Sequence, residues 1–152
     1  MKRTALKRSI SQLKRTRISP ISKSPRATLM RKCNGLWGLA IHLLGRERCA
    51  LCGHQGMDLH ASHLVGKGAN PYIRHELLNG LLLCARHHRA MDGQRGREVQ
   101  MYTEGAIWDK YPLRKTWADR HRHDRRRRIP LEEVETELRE AIRRVKNNLA
   151  KK

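Results

Sequence analysis

Apolar residues recur with a helical spacing in two segments of this chain. The stretch "GLWGLAIHLLG" (35–45) is apolar at most positions, which predicts a short buried helix that ends near Gly45. After Pro130, apolar residues return at three- and four-residue steps, which predicts an amphipathic helix of about five turns that packs on the domain or on a partner. The apolar positions of this second helix are Leu131, Val134, Leu138, Ile142, Val145 and Leu149.

The charge of the chain narrows the class of partner. Lys and Arg number 34 against 14 Asp and Glu, so the net charge is +20 and the sequence pI is about 11.0. Such an excess favours a polyanionic partner. Nucleic acid is favoured over a membrane, because the chain has no long apolar run and no signal-peptide pattern. We therefore expect a cytoplasmic protein that binds nucleic acid.

Two segments concentrate this positive charge. Residues 1–32 hold eleven Lys or Arg and no acidic residue, and Pro20 and Pro25 disfavour continuous helix, which predicts a disordered basic arm. The run "RHRHDRRRR" (120–128) is a second candidate for phosphate contacts, because each cation bound to a nucleic acid releases counterions. The plainer alternatives are a solubilising tail for the arm and a solvated surface for the run.

The spacing of the cysteines predicts a metal site. "CALC" supplies Cys49 and Cys52, and "CARH" supplies Cys84 and His87, so two short-spaced pairs flank a long insertion. Four sulfur and nitrogen ligands in such pairs suit a closed tetrahedral structural zinc, and a reducing cytoplasm makes disulfides a poor alternative. The other alternative is a set of unrelated buried thiols. Cys33 has no partner at a useful spacing and is expected to be a free thiol.

These patterns together predict how the chain is organised. A chain of 152 residues with 38% hydrophobic content has room for one modest domain with tails. The predicted parts are a basic arm over residues 1–32, the zinc-containing domain over 33–100 and a basic helical extension over 101–152.

The residues between the two zinc pairs carry a family resemblance. "LHASHLVGKGANPYIRHELLNGLLLCARHH" has His63 and Asn79 between the zinc pairs and His88 just beyond the second pair, in the order of the HNH motif. The chain resembles HNH endonucleases, which have the ββα-metal fold, over about Arg48 to Gly93. The resemblance implies an α+β fold in which a β-hairpin and a helix surround zinc. With its basic arm the chain looks most like phage-encoded recombination nucleases of the NinG/Rap type, which would place it in the cytoplasm of a bacterial host.

The resemblance implies a role for each motif residue. His63 would be the general base that activates water, and an ordinary imidazole pKa of about 6.5 suits that task. Asn79 would brace the loop that holds His63 through a backbone hydrogen bond. His88 would bind a catalytic divalent cation, Mg²⁺ or Mn²⁺, with another transition metal as the alternative.

Two further ligands of that cation are predicted. Asp92 follows His88 by four residues and so lies on the same face of a helix, and its carboxylate suits Mg²⁺ or Mn²⁺. Many family members carry Asp or His directly before the base, where this chain has Ser62. A strand over residues 58–63 would place His60 and Ser62 on the face opposite His63, and His60 would replace the missing ligand only if the strand bends. The alternative is that His60 is an ordinary polar surface residue.

Contacts with DNA are predicted outside the motif, and aromatic residues are expected in the core. Trp108, Tyr111 and Trp117 are too few to suggest a stacking surface for bases. The predicted phosphate contacts are Lys67, Arg74, Arg125, Arg126, Arg127 and Arg128.

Three function classes follow from these features. The leading hypothesis is a metal-dependent endonuclease that hydrolyses phosphodiester bonds of duplex or branched DNA. The rival is a non-catalytic zinc-ribbon module that binds nucleic acid, in which His63 is incidental. A third class, an assembly or packaging factor with nuclease activity, differs only in partners. The coincidence of His63, Asn79, His88 and Asp92 favours the enzyme, whereas Ser62 favours the binding module.

Overall fold

Five α-helices and one two-stranded sheet make up the described part of the chain, residues 24–123 and 129–151 of a computed structural model. This arrangement confirms the predicted α+β class. The elements in chain order are α1 (Pro25–Gly45), β1 (Leu59–His63), β2 (Gly80–Cys84), α2 (Ala85–Met91), α3 (Arg97–Lys110), α4 (Pro112–His121) and α5 (Leu131–Ala150). Two short 3₁₀ turns, Pro71–Ile73 and Leu77–Asn79, lie between the strands.

The two strands form an antiparallel hairpin that links the predicted sites. Leu59 pairs with Cys84 at one end, and His63 pairs with Gly80 at the other. Every residue of β2 is buried, so this strand runs through the core, and α2 follows it directly. The hairpin therefore places Cys84, a predicted zinc ligand, at one end and His63, the predicted base, at the other.

Helix α1 ends where the sequence predicts but begins earlier. It starts at Pro25, where the missing N–H of proline costs nothing because the first amides of a helix have no partner within the helix. The Ser24 side chain caps this end by accepting a hydrogen bond from the Ala27 N–H at 3.2 Å. The prediction of disorder is thus wrong for residues 25–32, and residues 1–23 lie outside the described part.

Helix α5 packs along α1, which confirms the predicted amphipathic helix. Val134, Leu138 and Ile142 are buried, and Lys32 of α1 forms an ion pair with Glu135 of α5 at 2.8 Å. One hydrophobic core includes residues from Cys33 to Leu138, and Trp108 and Tyr111 pack against it, as predicted. This core draws on both predicted ranges, 33–100 and 101–152, and the boundary between them lies inside α3.

A membrane-spanning element was not expected from the sequence. Over residues 24–123 and 129–151, no helix combines the length and the apolar character that crossing a bilayer requires.

Candidate functional site

Cys49, Cys52, Cys84 and His87 converge on one point. Their ligand atoms all lie within 4.8 Å of one another, and within the described ranges no other group of three or more Cys, His, Asp or Glu side chains does so. The two cysteines of the first pair lie in the turns after α1, Cys84 ends β2 and His87 lies on α2. The four predicted ligands are therefore brought together and could hold a metal ion.

The spacing within this cluster suits a tetrahedral ion. The His87 Nδ1 lies 3.4 Å from the Cys49 Sγ and 3.3 Å from the Cys84 Sγ. Zinc bonds of ~2.3 Å to sulfur and ~2.0 Å to nitrogen would separate two such ligands by roughly 3.6 Å at a tetrahedral angle. Gly53 closes the first pair with a left-handed backbone at φ 73°, and its N–H donates to the Cys49 carbonyl at 2.9 Å.

The thiols of the cluster differ in acidity. Burial raises the pKa of Cys49, but the backbone N–H groups of Cys52, Cys84 and Leu51, together with the His87 side chain, lower it to about 6. Burial raises the pKa of Cys84, as does the charge of the neighbouring Cys49. At neutral pH, Cys49 is therefore a thiolate and Cys84 is a thiol close beside it. This is a suitable starting state for metal binding, since the thiolate is the form that binds metal. Cys33 lies apart, buried under α5, and is free, as predicted.

His63 is held between a ring and a carbonyl. Its imidazole stacks on the indole of Trp37, with ring centroids 3.9 Å apart and an interplanar angle of 17°. Its Nε2 lies 2.9 Å from the backbone oxygen of Arg74. Because a carbonyl only accepts, Nε2 carries the proton and the lone pair is on Nδ1. The contacts thus fix both the orientation and the tautomer that a base requires.

Burial also keeps His63 neutral. Loss of solvation is the largest effect and lowers its pKa, the Arg74 carbonyl opposes this, and the charges of Lys67 and Arg74 lower it further, to about 4. The carboxylate of Asp92 is close enough to raise the pKa slightly. The sequence alone suggests the ordinary value near 6.5, so the structure moves the titration of His63 well below neutral pH.

Asn79 braces the loop that follows His63. It is fully buried, and its Oδ1 accepts from the Val65 N–H at 2.7 Å. Its Nδ2 donates to the carbonyls of Val65 at 3.1 Å and Ile73 at 3.2 Å. The side chain thus joins the start of the 64–79 loop to the residue next to Arg74, whose carbonyl holds His63.

The predicted ligands of the catalytic cation lie near one another but are not drawn into a closed cluster. His88 Nδ1 lies 3.4 Å from the Asp92 carboxylate, and the His60 and His88 rings are tilted at 34° with centroids 5.1 Å apart. The ligand atoms of all three do not fall within 4.8 Å of one another. Ser62 is buried at 2% exposure, so it offers nothing to an ion at the surface. His60 is exposed and sits beside His88.

The predicted DNA contacts differ in setting. Lys67 is exposed in the turn after His63. Arg74 is half-buried, and its Nη1 lies 3.5 Å from the Met30 sulfur, so part of its guanidinium is turned towards α1. Residues Arg125 to Arg128 lie outside the described part, and their role stays a prediction.

Two contacts of His63 were missed by the sequence analysis. Trp37 reads as one more apolar position of a buried helix, and nothing in its spacing relates it to a histidine on a strand. The Arg74 carbonyl is a backbone group, and side-chain identity carries no signal for it. Both depend on the packing of α1 and the 64–79 loop against the hairpin.

Comparisons with family models, with curated proteins and with solved structures found no match. The chemistry of this site therefore has to be argued from its own geometry. That geometry is a Cys/His cluster that could hold a metal ion at one end of a hairpin and a neutral, oriented histidine at the other.

Proposed function

We propose that this chain is a metal-dependent DNA endonuclease of the HNH type. The observation that carries the proposal is His63, whose Nε2–H is held by the Arg74 carbonyl at 2.9 Å and whose pKa is lowered by burial to about 4. A neutral, oriented imidazole next to an asparagine-braced loop is what activation of water needs. Its setting in a phage recombination pathway and in a bacterial cytoplasm rests on the resemblance alone.

His63 would act through Nδ1. That nitrogen takes a proton from water as the oxygen bonds to phosphorus. The bond from phosphorus to the 3′ oxygen breaks, the leaving oxygen takes a proton from solvent water, and the imidazolium returns its proton to solvent. A pKa near 4 makes a weak base, but it leaves the ring neutral near pH 7 and able to accept a proton. The Arg74 carbonyl stabilises the imidazolium through the same Nε2–H bond.

His88 and Asp92 would hold the catalytic cation, with His60 as a third ligand. Their donor set of two imidazoles and one carboxylate suits Mn²⁺, and Asp92 suits Mg²⁺. A divalent ion there supplies a positive charge for the scissile phosphate and the leaving oxygen. The His60 and Asp92 side chains are exposed, so they are free to rotate towards a bound cation.

The Cys/His cluster is proposed as a structural zinc site. Three sulfurs and one nitrogen complete a tetrahedron and leave no open position for water or substrate. The cluster ties the turns after α1 to the end of β2 and to α2, which carries His88, and β2 in turn pairs with β1, which carries His60.

DNA is the proposed partner because of charge and its placement. The chain carries a net charge of +20, and Lys67 is exposed just beyond His63. The Asn70 Nδ2 donates to the carbonyl of His121 at 2.9 Å and to that of Arg122 at 3.4 Å. The chain leading into the 125–128 arginine run is therefore attached to the loop after His63, which favours contacts of that run with the DNA that would bind at His63.

A second candidate, the non-catalytic zinc-ribbon module, is favoured by one observation. The buried Ser62 leaves β1 without a ligand beside His63, and the ligand atoms of His60, His88 and Asp92 are not all within 4.8 Å. In that case the same cluster would only hold a basic surface on nucleic acid.

Nicking of supercoiled, forked and junction DNA with Mg²⁺ or Mn²⁺ tests the proposal. The parent is expected to nick at least one form, and His63→Ala is expected to lose ~10²–10⁴ in rate while still binding DNA. His42→Ala is the matched control, because His42 lies on α1 and pairs with Glu47 at the surface. A parent that nicks no form would leave the binding module as the function, whereas His63→Ala nicking at the parent rate would overturn the role of His63 as the base.

A further inference from the structure

Arg114 lies on α4, outside the HNH-like segment, and its guanidinium faces the turn that carries Asn79. Its Nη1 donates to the carbonyl oxygens of Leu77 at 3.2 Å, Leu78 at 2.9 Å and Gly80 at 2.6 Å. These carbonyls flank Asn79 on both sides. Since the partners are uncharged backbone groups, the contact acts on the shape of the turn.

The other carbonyls of residues 76–80, the asparagine turn, are bonded as well. The Trp37 indole N–H donates to the Glu76 oxygen at 3.1 Å, and the Leu64 N–H donates to the Asn79 oxygen at 2.9 Å. The backbone at Gly80 packs so closely on α1 that only glycine fits, because a Cβ there would overlap Trp37 and Ile41. The turn is therefore fixed from several sides. Arg114 alone donates to three of its five carbonyl oxygens.

The turn reaches His63 through two further contacts. Asn79 Nδ2 donates to the Ile73 carbonyl at 3.2 Å, and the next residue, Arg74, provides the carbonyl that accepts from His63 at 2.9 Å. A displacement of Asn79 would thus move the acceptor that sets the His63 ring.

We propose that Arg114 is a positioning residue of this site: it holds the asparagine turn and, through Asn79, the carbonyl that orients His63. Its effect on rate rests on the proposed nuclease function. Its effect on the His63 hydrogen bond does not, and can be measured without catalysis.

The test uses the full chain with Arg114→Met, which keeps most of the side-chain volume and removes the donors. Arg143→Met, on the exposed face of α5, removes the same charge elsewhere and is the control. Nuclear magnetic resonance follows solvent exchange of the His63 Hε2 proton, expected at least 10-fold faster in Arg114→Met and unchanged in Arg143→Met. Nicking by Arg114→Met is expected to fall in kcat by roughly 10- to 100-fold with KM unchanged, as for a misplaced catalytic group.

Each outcome decides the matter. Parent-like Hε2 exchange in folded Arg114→Met would overturn the positioning role, even with the nuclease intact. A parent that does not nick would remove the nuclease proposal and leave the Hε2 comparison standing. If Arg114→Met does not fold, Arg114→Lys replaces it, because the lysine nitrogen ends one bond short of Nη1. Hε2 exchange that is faster in Arg114→Lys than in the parent then supports the role, and exchange at the parent rate contradicts it.

Discussion

The imidazole of His63 lies flat against the indole of Trp37, with ring centroids 3.9 Å apart. Trp37 is 4% exposed and its N–H is bonded to Glu76, so one face of the histidine is permanently shielded from water. This shielding contributes to the desolvation that keeps His63 neutral, and it has a measurable effect on stability.

Stability is expected to fall as the pH drops from about 6.5 towards 4. The folded-state pKa of His63 is lowered to about 4, so folding favours the neutral ring. The stabilisation is fully present above the unfolded pKa of about 6.5 and is lost as protons bind the unfolded chain first. We expect the Tm of the parent to fall more steeply between pH 7 and 5 than that of His63→Gln, which does not titrate. The pKa of His75 is lowered to about 4 mainly by burial, so His75 adds a loss in the same direction in both proteins. Parallel Tm profiles would show that His63 titrates normally.

The protein is expected to contain about one tightly held zinc per chain. The four ligands of the cluster meet within 4.8 Å, and the binding free energy of a structural metal becomes part of the folding free energy. Cys49→Ala should therefore unfold the domain, whereas Cys33→Ala, which removes a buried thiol outside the cluster, should bind zinc as the parent does. Elemental analysis and circular dichroism give both answers. A metal-free Cys49→Ala protein that keeps its fold would contradict the assignment.

The two adjacent histidines are expected to fail differently. His87 belongs to the cluster and His88 lies beside His60 and Asp92. His87→Ala should lose zinc and fold poorly, while His88→Ala should stay folded, bind DNA and lose nicking. Circular dichroism, zinc content and nicking are measured on both variants side by side. Equal zinc content and equal stability of the two would refute the division of roles.

DNA affinity is expected to fall steeply with salt. Each phosphate neutralised contributes a slope of about −0.9 to the logarithm of affinity against the logarithm of salt concentration. Deleting residues 1–23 should flatten this slope without disturbing α1, because that helix begins at Pro25 under the Ser24 cap. Fluorescence anisotropy at several salt concentrations measures the slope. An unchanged slope would reduce the arm to a solubilising tail.

What the sequence could predict depends on the range over which each signal acts. The Cys and His pairs are local, and so is the apolar series of α5, and both were found. Pro25 was misread, because proline breaks a helix interior but suits a first turn, and the letter alone does not say which position it holds. Helices α3 and α4 have no marked apolar stripe, so the sequence gives little sign of either. The bonds from Arg114 on α4 to the asparagine turn appear only once the chain is folded.

The pairing of the hairpin has a consequence for redesign. Leu59 faces Cys84 and His63 faces Gly80, so a slip by one residue would exchange the faces of His60 and His63. A metal ion bound through Cys84 would pin one end of the short ladder, and the bond from the Leu64 N–H to the Asn79 carbonyl closes the other. Insertions in this hairpin would therefore have to come in both strands and in even numbers, because an odd number would interchange the faces of the two histidines and move the buried Leu59 out of the core.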